Sequence, residues 1–291
     1  MSTLSIYALL CLIWGSTWLV IRIGLADMPP FWSLSIRLVP ALLFLIAVAT
    51  YRGTRLAPLR REPWRVLQIG LLTYPGAYCL VYWGEQYITS GLAAVMFSTM
   101  PFFVALFAWW LLPAERLGPR AAVGLVLGFG GLVAIYWEQI SLGSTEKVLG
   151  MLAVTLSALI AAFNTVTIRR WMADMPAVAL ATATVALGGL IVPFIALGGP
   201  APASEHFTLR AVTAATYLGI AGSGLSFVLY YQLLSRVPAL TMSLITFVTP
   251  LIALTLGVFF DYEPFGWRTW IGIGLVLAGV LLATLGSASR E

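Results

Sequence analysis

The chain has 291 residues, of which 60% are hydrophobic and 9% charged. A soluble protein carries about 25% charged residues, so this composition cannot cover a water-facing surface and lipid must do it. The net charge of +5 is no nucleic-acid signature, because the arginines lie mostly in short loops between apolar runs.

Met1–Ser5 carries no basic side chain. The apolar run that follows reaches about Ala26, longer than a signal-peptide core of roughly 7–15 residues, and is read as a retained first span. A spanning helix needs about 20 largely apolar residues. Ten segments qualify: 4–26, 31–50, 66–88, 91–112, 119–137, 148–170, 176–198, 211–235, 238–260 and 267–285. The longest polar connection is 51–65, so no soluble domain is expected. Cys11 and Cys79 fall inside apolar runs and read as small core residues, with no disulfide or metal-binding motif. No cofactor is expected either.

The basic residues fall unevenly on the two sides. With a cytoplasmic N-terminus, that side holds Arg52, Arg55, Arg60, Arg61, Arg65, Arg116, Arg120, Arg169, Arg170, Arg236 and Arg290, eleven in all. The other side holds three: Lys147, Arg210 and Arg268. The positive-inside bias therefore predicts both termini in the cytoplasm.

The sequence also repeats itself. Shifted by 149, Gly70, Leu80, Tyr82 and Pro101 fall on Gly219, Leu229, Tyr231 and Pro250. Shifted by 148, Glu115, Gly118, Arg120, Gly124, Leu127 and Gly131 fall on Glu263, Gly266, Arg268, Gly272, Leu275 and Gly279. Shifted by 147, Leu12, Ile13, Ile21, Arg22 and Ala26-Asp27-Met28-Pro29 fall on Leu159, Ile160, Ile168, Arg169 and Ala173-Asp174-Met175-Pro176. The duplicated unit is five spans. An odd number means that the second copy enters from the opposite side. The expected architecture is all-α: an integral membrane protein of ten helices in two inverted five-helix repeats, 1–142 and 148–291. Inverted repeats recur in secondary transporters, with the substrate site near the midplane between them.

Over nearly its whole length the chain resembles the drug/metabolite transporter superfamily, in its ten-span EamA-type branch. The resemblance is carried by Trp14-Gly15-Ser16-Thr17, by Arg37 in the second span, and by Gly91-Leu92-Ala93-Ala94, Pro101, Glu115-Arg116-Leu117, Gly124 and Gly131. The second copy departs from it, with Pro238-Ala239-Leu240-Thr241 for the small-residue run and Asp261-Tyr262-Glu263-Pro264 for the acidic turn. Family members export small metabolites, among them amino acids, drugs and sugars, and an aromatic-amino-acid exporter is one similar member. The shared motifs define a fold and not a substrate.

Candidate site residues follow from polarity at depth. Pro101 and Pro250 sit mid-span and free the carbonyls of Phe97 and Thr246. Either is a packing kink or a hinge, and their symmetric placement favours a hinge or cavity wall. Tyr74, Tyr78 and Tyr82 recur every four residues on one face, and Phe227, Tyr230 and Tyr231 stand at the corresponding depth of the eighth span. Such stripes are more often core than ligand site. Two of them in inverted copies, facing Ser243 and Thr246, favour a lined cavity. Trp14, Thr17 and Trp18 share a face of the first span, and Asn164 falls on Thr17 in the repeat. A buried Asn needs a hydrogen bond, either to a neighbouring helix or to a polar substrate. Arg22, Arg37 and Glu85 are the deepest ionisable groups and default to functional roles: an external gate or a carboxylate site, against snorkelling to the interface. Asp27, Asp174, Glu115 and Glu263 lie at span ends and are read as turn residues.

An enzyme is not expected: the single histidine, His206, lies in a loop without paired acids, and there is no nucleotide-binding loop. The expected partners are a small-molecule substrate and the lipid bilayer, with no nucleic acid; monomer and homodimer both remain open. The spans offer no Lys or Arg at mid-depth for a phosphorylated cargo. The reading is a secondary exporter of small amphipathic metabolites, hydrophobic or aromatic amino acids first. Export of drugs, nucleosides or sugars, or an uncoupled channel, is the alternative.

Overall fold

The computed structural model describes residues 2–137, 140, 144–203, 207–261 and 267–288. His206, Tyr262, Glu263, Pro264, Gly266 and Arg290, which entered the sequence argument, lie outside these residues. The described chain is helical throughout. We number the helices by span. Helix α1 is Thr3–Leu25 and α2 is Pro30–Tyr51. Helix α3 covers 63–84 in three continuous pieces, Pro63–Leu71, Leu72–Tyr78 and Cys79–Gly84. Helix α4 is Ser90–Leu111, α5 Pro119–Tyr136, α6 Thr145–Trp171 and α7 Ala177–Leu197. Helix α8 is Leu209–Leu234. Helix α9 consists of Ala239–Ser243 and Ile245–Asp261, and α10 is Trp267–Ala288.

Local chemistry sets these boundaries. Ser2, Thr89, Ser144 and Thr208 stand at N-caps, where each hydroxyl accepts a first-turn N–H that has no partner within its helix. Proline opens α2, α3 and α5, where a missing N–H costs nothing. Among the described residues, nine helices are long and apolar enough to cross a membrane. The tenth, α3, is as long as its neighbours, but Gln68, Thr73, Tyr74, Pro75, Tyr78 and Tyr82 dilute its apolar character.

Four spans are irregular. In α3 the backbone widens into a π-turn over Leu72–Tyr78, around Pro75. Helix α8 has a π-turn over Ile220–Leu225, around Gly222-Ser223-Gly224, and the Ser226 hydroxyl donates to the Ala221 carbonyl five residues back at 2.7 Å. Helix α4 breaks at Ser98–Thr99, just before Pro101. Helix α9 breaks at Leu244 and then continues through Pro250. Such departures are tolerated at membrane depth where a neighbour or a cavity satisfies the backbone.

Packing relates the first five helices to the last five. Helix α1 packs on α9 as α6 packs on α4; α2 on α8 as α7 on α3; α1 on α8 as α6 on α3. Helices α2 and α7, α4 and α9, and α5 and α10 pair with their own counterparts. Exchanging the halves therefore maps this contact pattern onto itself. The α5–α10 seam is the tightest. A methyl group added at Gly131 would lie 2.6 Å from the Gly272 carbonyl oxygen, and one at Gly124 2.6 Å from that of Gly279. Only a residue without Cβ allows this backbone approach. The outer surface carries large apolar side chains, among them Trp109, Trp110, Trp267 and Trp270, as a lipid-facing surface requires.

Candidate functional site

Six helices enclose a central cavity of about 130 Å³. Helix α1 contributes Trp14, Thr17, Trp18 and Ile21, one face by spacing. Helix α3 adds Thr73, Ala77, Tyr78 and Val81, and α4 adds Phe97 and Met100 from either side of its break. Ser157, Ala161, Asn164, Thr165 and Ile168 come from one face of α6. Phe227, Tyr230 and Tyr231 come from α8, and Met242, Ser243, Ile245, Thr246 and Thr249 from α9. No Asp, Glu, Lys or Arg is among these lining residues.

The aromatic walls touch one another. Trp14 lies 5.1 Å from Tyr230 between ring centroids, Tyr230 lies 5.9 Å from Tyr231, and Tyr231 lies 5.6 Å from Phe227. Phe227 reaches Tyr78 at 6.2 Å, and Tyr78 stacks on Tyr74 at 5.0 Å. Trp18 and Phe97 form a second contact at 5.5 Å. These are the offset and edge geometries that aromatic pairs favour. The polar atoms are mostly committed to backbone. Thr17 donates to the Trp14 carbonyl at 2.8 Å, Ser243 to Leu240 at 2.6 Å and Thr246 to Ser243 at 2.8 Å. The Trp14 indole N–H lies 3.4 Å from the Gly222 carbonyl in the α8 π-turn. Thr165 and Tyr230 share a hydroxyl–hydroxyl bond of 2.7 Å.

The structure thus brings nine of the sequence candidates to one cavity: Trp14, Thr17, Tyr78, Asn164, Phe227, Tyr230, Tyr231, Ser243 and Thr246. It does not bring Tyr82 there. Tyr82 is fully buried, and its hydroxyl accepts a hydrogen bond from Arg37 Nη1 at 3.1 Å. Arg37 is itself buried. It donates from Nε to Ser223 Oγ at 2.9 Å and from Nη2 to the Gly222 carbonyl at 3.3 Å. Its guanidinium carbon sits 4.8 Å from the Tyr78 ring centre, so Tyr78 stands between this cation and the cavity. Arg37 does not reach an interface, as snorkelling would require. Arg22 is exposed, and Glu85 is buried with both carboxylate oxygens lacking a partner. The two form no ion pair.

Pro250 leaves the Thr246 carbonyl without its helical N–H, and the Ser98 hydroxyl from the α4 break bonds to it. The Pro250 carbonyl accepts from the Tyr136 hydroxyl of α5 at 3.1 Å. Glu115 does more than fix a turn. Its carboxylate accepts from Arg169 Nε at 2.7 Å and from the Ala239 amide at 2.8 Å. Arg169 also donates to the Leu234 and Ser235 carbonyls, at 3.0 and 2.9 Å. This cluster ties the ends of α4, α6, α8 and α9 together. Asp27 likewise crosses to another helix, accepting from Thr208 Oγ1 at 2.6 Å and from Arg210.

Sequence reasoning missed Thr73, Ser157, Thr165 and Thr249 as lining residues. The signal was present for Ser157 and Thr165: both share a helix face with Asn164, two turns and one residue away.

A bundle of apolar helices around a small neutral cavity defines an integral membrane protein. The signature of the EamA-like transporter family spans residues 1–137 and again 148–285, and the chain belongs to that family. Relatives named as transporters share that family, and the chain is a membrane transporter. It is 31% identical over 283 residues to the uncharacterized inner membrane transporter YedA of Escherichia coli K12, covering 95% of this chain and 89% of the relative. It is 28% identical over 253 residues to the protein PagO of Salmonella typhimurium, covering 86% and 82%. It is 23% identical over 280 residues to the uncharacterized transporter YoaV of Bacillus subtilis, covering 96% of each. One crystal structure superposes with a TM-score of 0.80 at 23% identity, covering 99% of both chains, and shares the fold.

Proposed function

We propose that the protein exports small amphipathic metabolites, hydrophobic or aromatic amino acids first, from the bacterial cytoplasm across the inner membrane. The observation that carries this is the composition of the cavity wall: a connected set of aromatic rings, a few hydroxyl and amide groups, and no charged side chain. Aromatic walls offer stacking and apolar area, and the few polar atoms orient the cargo. A phosphorylated cargo would call for Lys or Arg in that wall. The volume suits a small ring, since a cavity of ~150 Å³ holds a benzene-sized molecule.

Trp14, Thr17, Tyr78, Asn164, Phe227, Tyr230, Tyr231, Ser243 and Thr246 are the cargo contacts in this reading. Transport is by alternating access of two inverted five-helix halves, 1–142 and 148–291, with both termini in the cytoplasm. The family signature matching twice supports the repeat, and so does a contact pattern that survives exchange of the halves. The outward direction follows the exporters that the chain resembles. Pro101 and Pro250 are the sites about which α4 and α9 flex.

The test is growth on a toxic aromatic amino-acid analogue in cells stripped of their own exporters. Expression should lower intracellular analogue and restore growth, and Tyr78→Ala should reduce the relief at equal protein level. Flux confined to phosphorylated sugars, or full activity of Tyr78→Ala together with Tyr230→Ala, would sink the assignment.

A further inference from the structure

Among the described residues that line the cavity, two carry a buried polar atom with no hydrogen-bond partner. Asn164 Oδ1 and Ser157 Oγ are buried atoms without a hydrogen-bond partner, and both residues line the cavity. Asn164 is 6% exposed and Ser157 0%. An unpaired polar atom at such depth costs about 1–3 kcal/mol and calls for a reason.

The neighbours fix which end of the Asn164 amide is free. The Thr73 hydroxyl donates its one proton to the Ile69 carbonyl at 2.7 Å, so towards Asn164 its oxygen can only accept. The Ile69 carbonyl can only accept as well. Both face one end of the amide, at 2.9 and 3.4 Å, and that end must be the NH₂ group. The remaining atom is the carbonyl oxygen, a pure acceptor. Ala161 and Ile168, which line the cavity one turn to either side on the same helix, supply no side-chain donor.

Ser157 is unusual in its own helix. Helical hydroxyls commonly bond the carbonyl four residues back, and Thr155 and Thr165 do so at 2.9 and 2.8 Å. Ser157 makes no such bond. It lies seven residues from Asn164, on the same face and about 10 Å along the axis.

We infer that Asn164, oriented by Thr73, recognises a hydrogen-bond donor on the cargo, and that α6 is the wall that sets specificity. Resting on the reading above, that donor is the ammonium group of an amino acid. The wall contains no residue that pairs with the carboxylate as a charge, so discrimination acts on the amine.

Three probes separate the contributions: phenylalanine, 3-phenylpropionate, which lacks the amine, and phenethylamine, which lacks the carboxylate. Binding to the purified protein in nanodiscs should be roughly tenfold or more tighter for the two amines than for 3-phenylpropionate. Asn164→Leu should erase that preference by weakening the amines alone, and Asn164→Asp should keep or enlarge it. A melting curve for each variant reports folding. An equal loss for all three probes would mean that Asn164 only holds helices together, and would overturn the inference. So would a wild-type protein indifferent to the amine. If no amino acid binds, uridine against 3-methyluridine, in which the ring N–H is blocked, asks the same question of Asn164. Loss of amino-acid binding with retained, Asn164-dependent preference for uridine would end the proposed function and leave this inference standing. No binding by any donor-bearing probe would end both.

Discussion

Tyr78 and Tyr82 look equivalent in the sequence and are not equivalent in the protein. Both belong to one stripe with a four-residue period. A step of four residues overshoots a helical turn by about 40°, so such a stripe swings round the axis and its two ends face different neighbours. Tyr78 reaches the cavity, and Tyr82 instead holds the Arg37 guanidinium. The sequence could name these residues and could not divide them. The division predicts opposite phenotypes. Tyr82→Phe removes one acceptor from a buried cation and should lower stability by about 2 kcal/mol, read as a drop in melting temperature, with cargo affinity unchanged. Tyr78→Phe should leave the melting temperature nearly as it was, because its hydroxyl holds no helix, while Tyr78→Ala should weaken cargo binding. Ser157 shows the limit from the other side. A serine in an apolar span normally bonds its own backbone and carries no message, and only coordinates reveal that this one does not.

At the level of the helix, periodicity and hydropathy found the ten helices of the described residues, nine of them long and apolar enough to cross a membrane and the tenth, α3, held below its neighbours' hydropathy by its polar face. Pro101 and Pro250 located two of the four irregular spans and misplaced the breaks, while Pro40 and Pro193 leave α2 and α7 unbroken. The interruptions lie at Ser98–Thr99 and at Leu244, upstream of Pro101 and Pro250. Proline disfavours helix in the residue before it and removes a bond to the turn before that, which accounts for the break at Ser98–Thr99; Leu244 lies six residues before Pro250, beyond that reach. The π-turn of α8 has no proline and was invisible in a Gly-Ser-Gly run. The Thr246 carbonyl freed by Pro250 is met by the Ser98 hydroxyl of α4, which shares its proton with the Ala94 carbonyl, and by the Thr249 hydroxyl of its own helix at 3.4 Å. Ser98→Ala should therefore cost about 1 kcal/mol. Pro250→Ala restores a local N–H for that carbonyl. In the double variant the loss from Ser98→Ala should shrink towards zero. Thermal unfolding of the four proteins closes the cycle, and simple additivity would contradict the coupling.

At the scale of the whole molecule, glycine spacing marks a seam: Gly124 and Gly131 of α5 meet Gly279 and Gly272 of α10. A glycine stripe announces close packing; which helix fills it is seen only in the fold, where α5 meets α10. Gly131→Val puts a branched side chain where the Gly272 carbonyl lies 2.6 Å from a single added methyl. Overpacking of this kind costs about 3 kcal/mol, and the nearest obstacle is backbone, which cannot swing aside. We expect loss of monodisperse protein on size exclusion, whereas Gly130→Ala, which meets open space on the same helix, should elute as the wild type does.

The neutral wall of the cavity also decides how the protein responds to electricity. Moving one elementary charge through the membrane field involves about 2.3 kcal/mol per 100 mV. Arg37 is anchored at once to Gly222, Ser223 and Tyr82, so it belongs to the scaffold and not to the moving cargo compartment. The lining contributes no charge of its own. In the proposed reading a zwitterionic amino acid held there adds none, so the membrane potential finds no net charge to act on in that compartment.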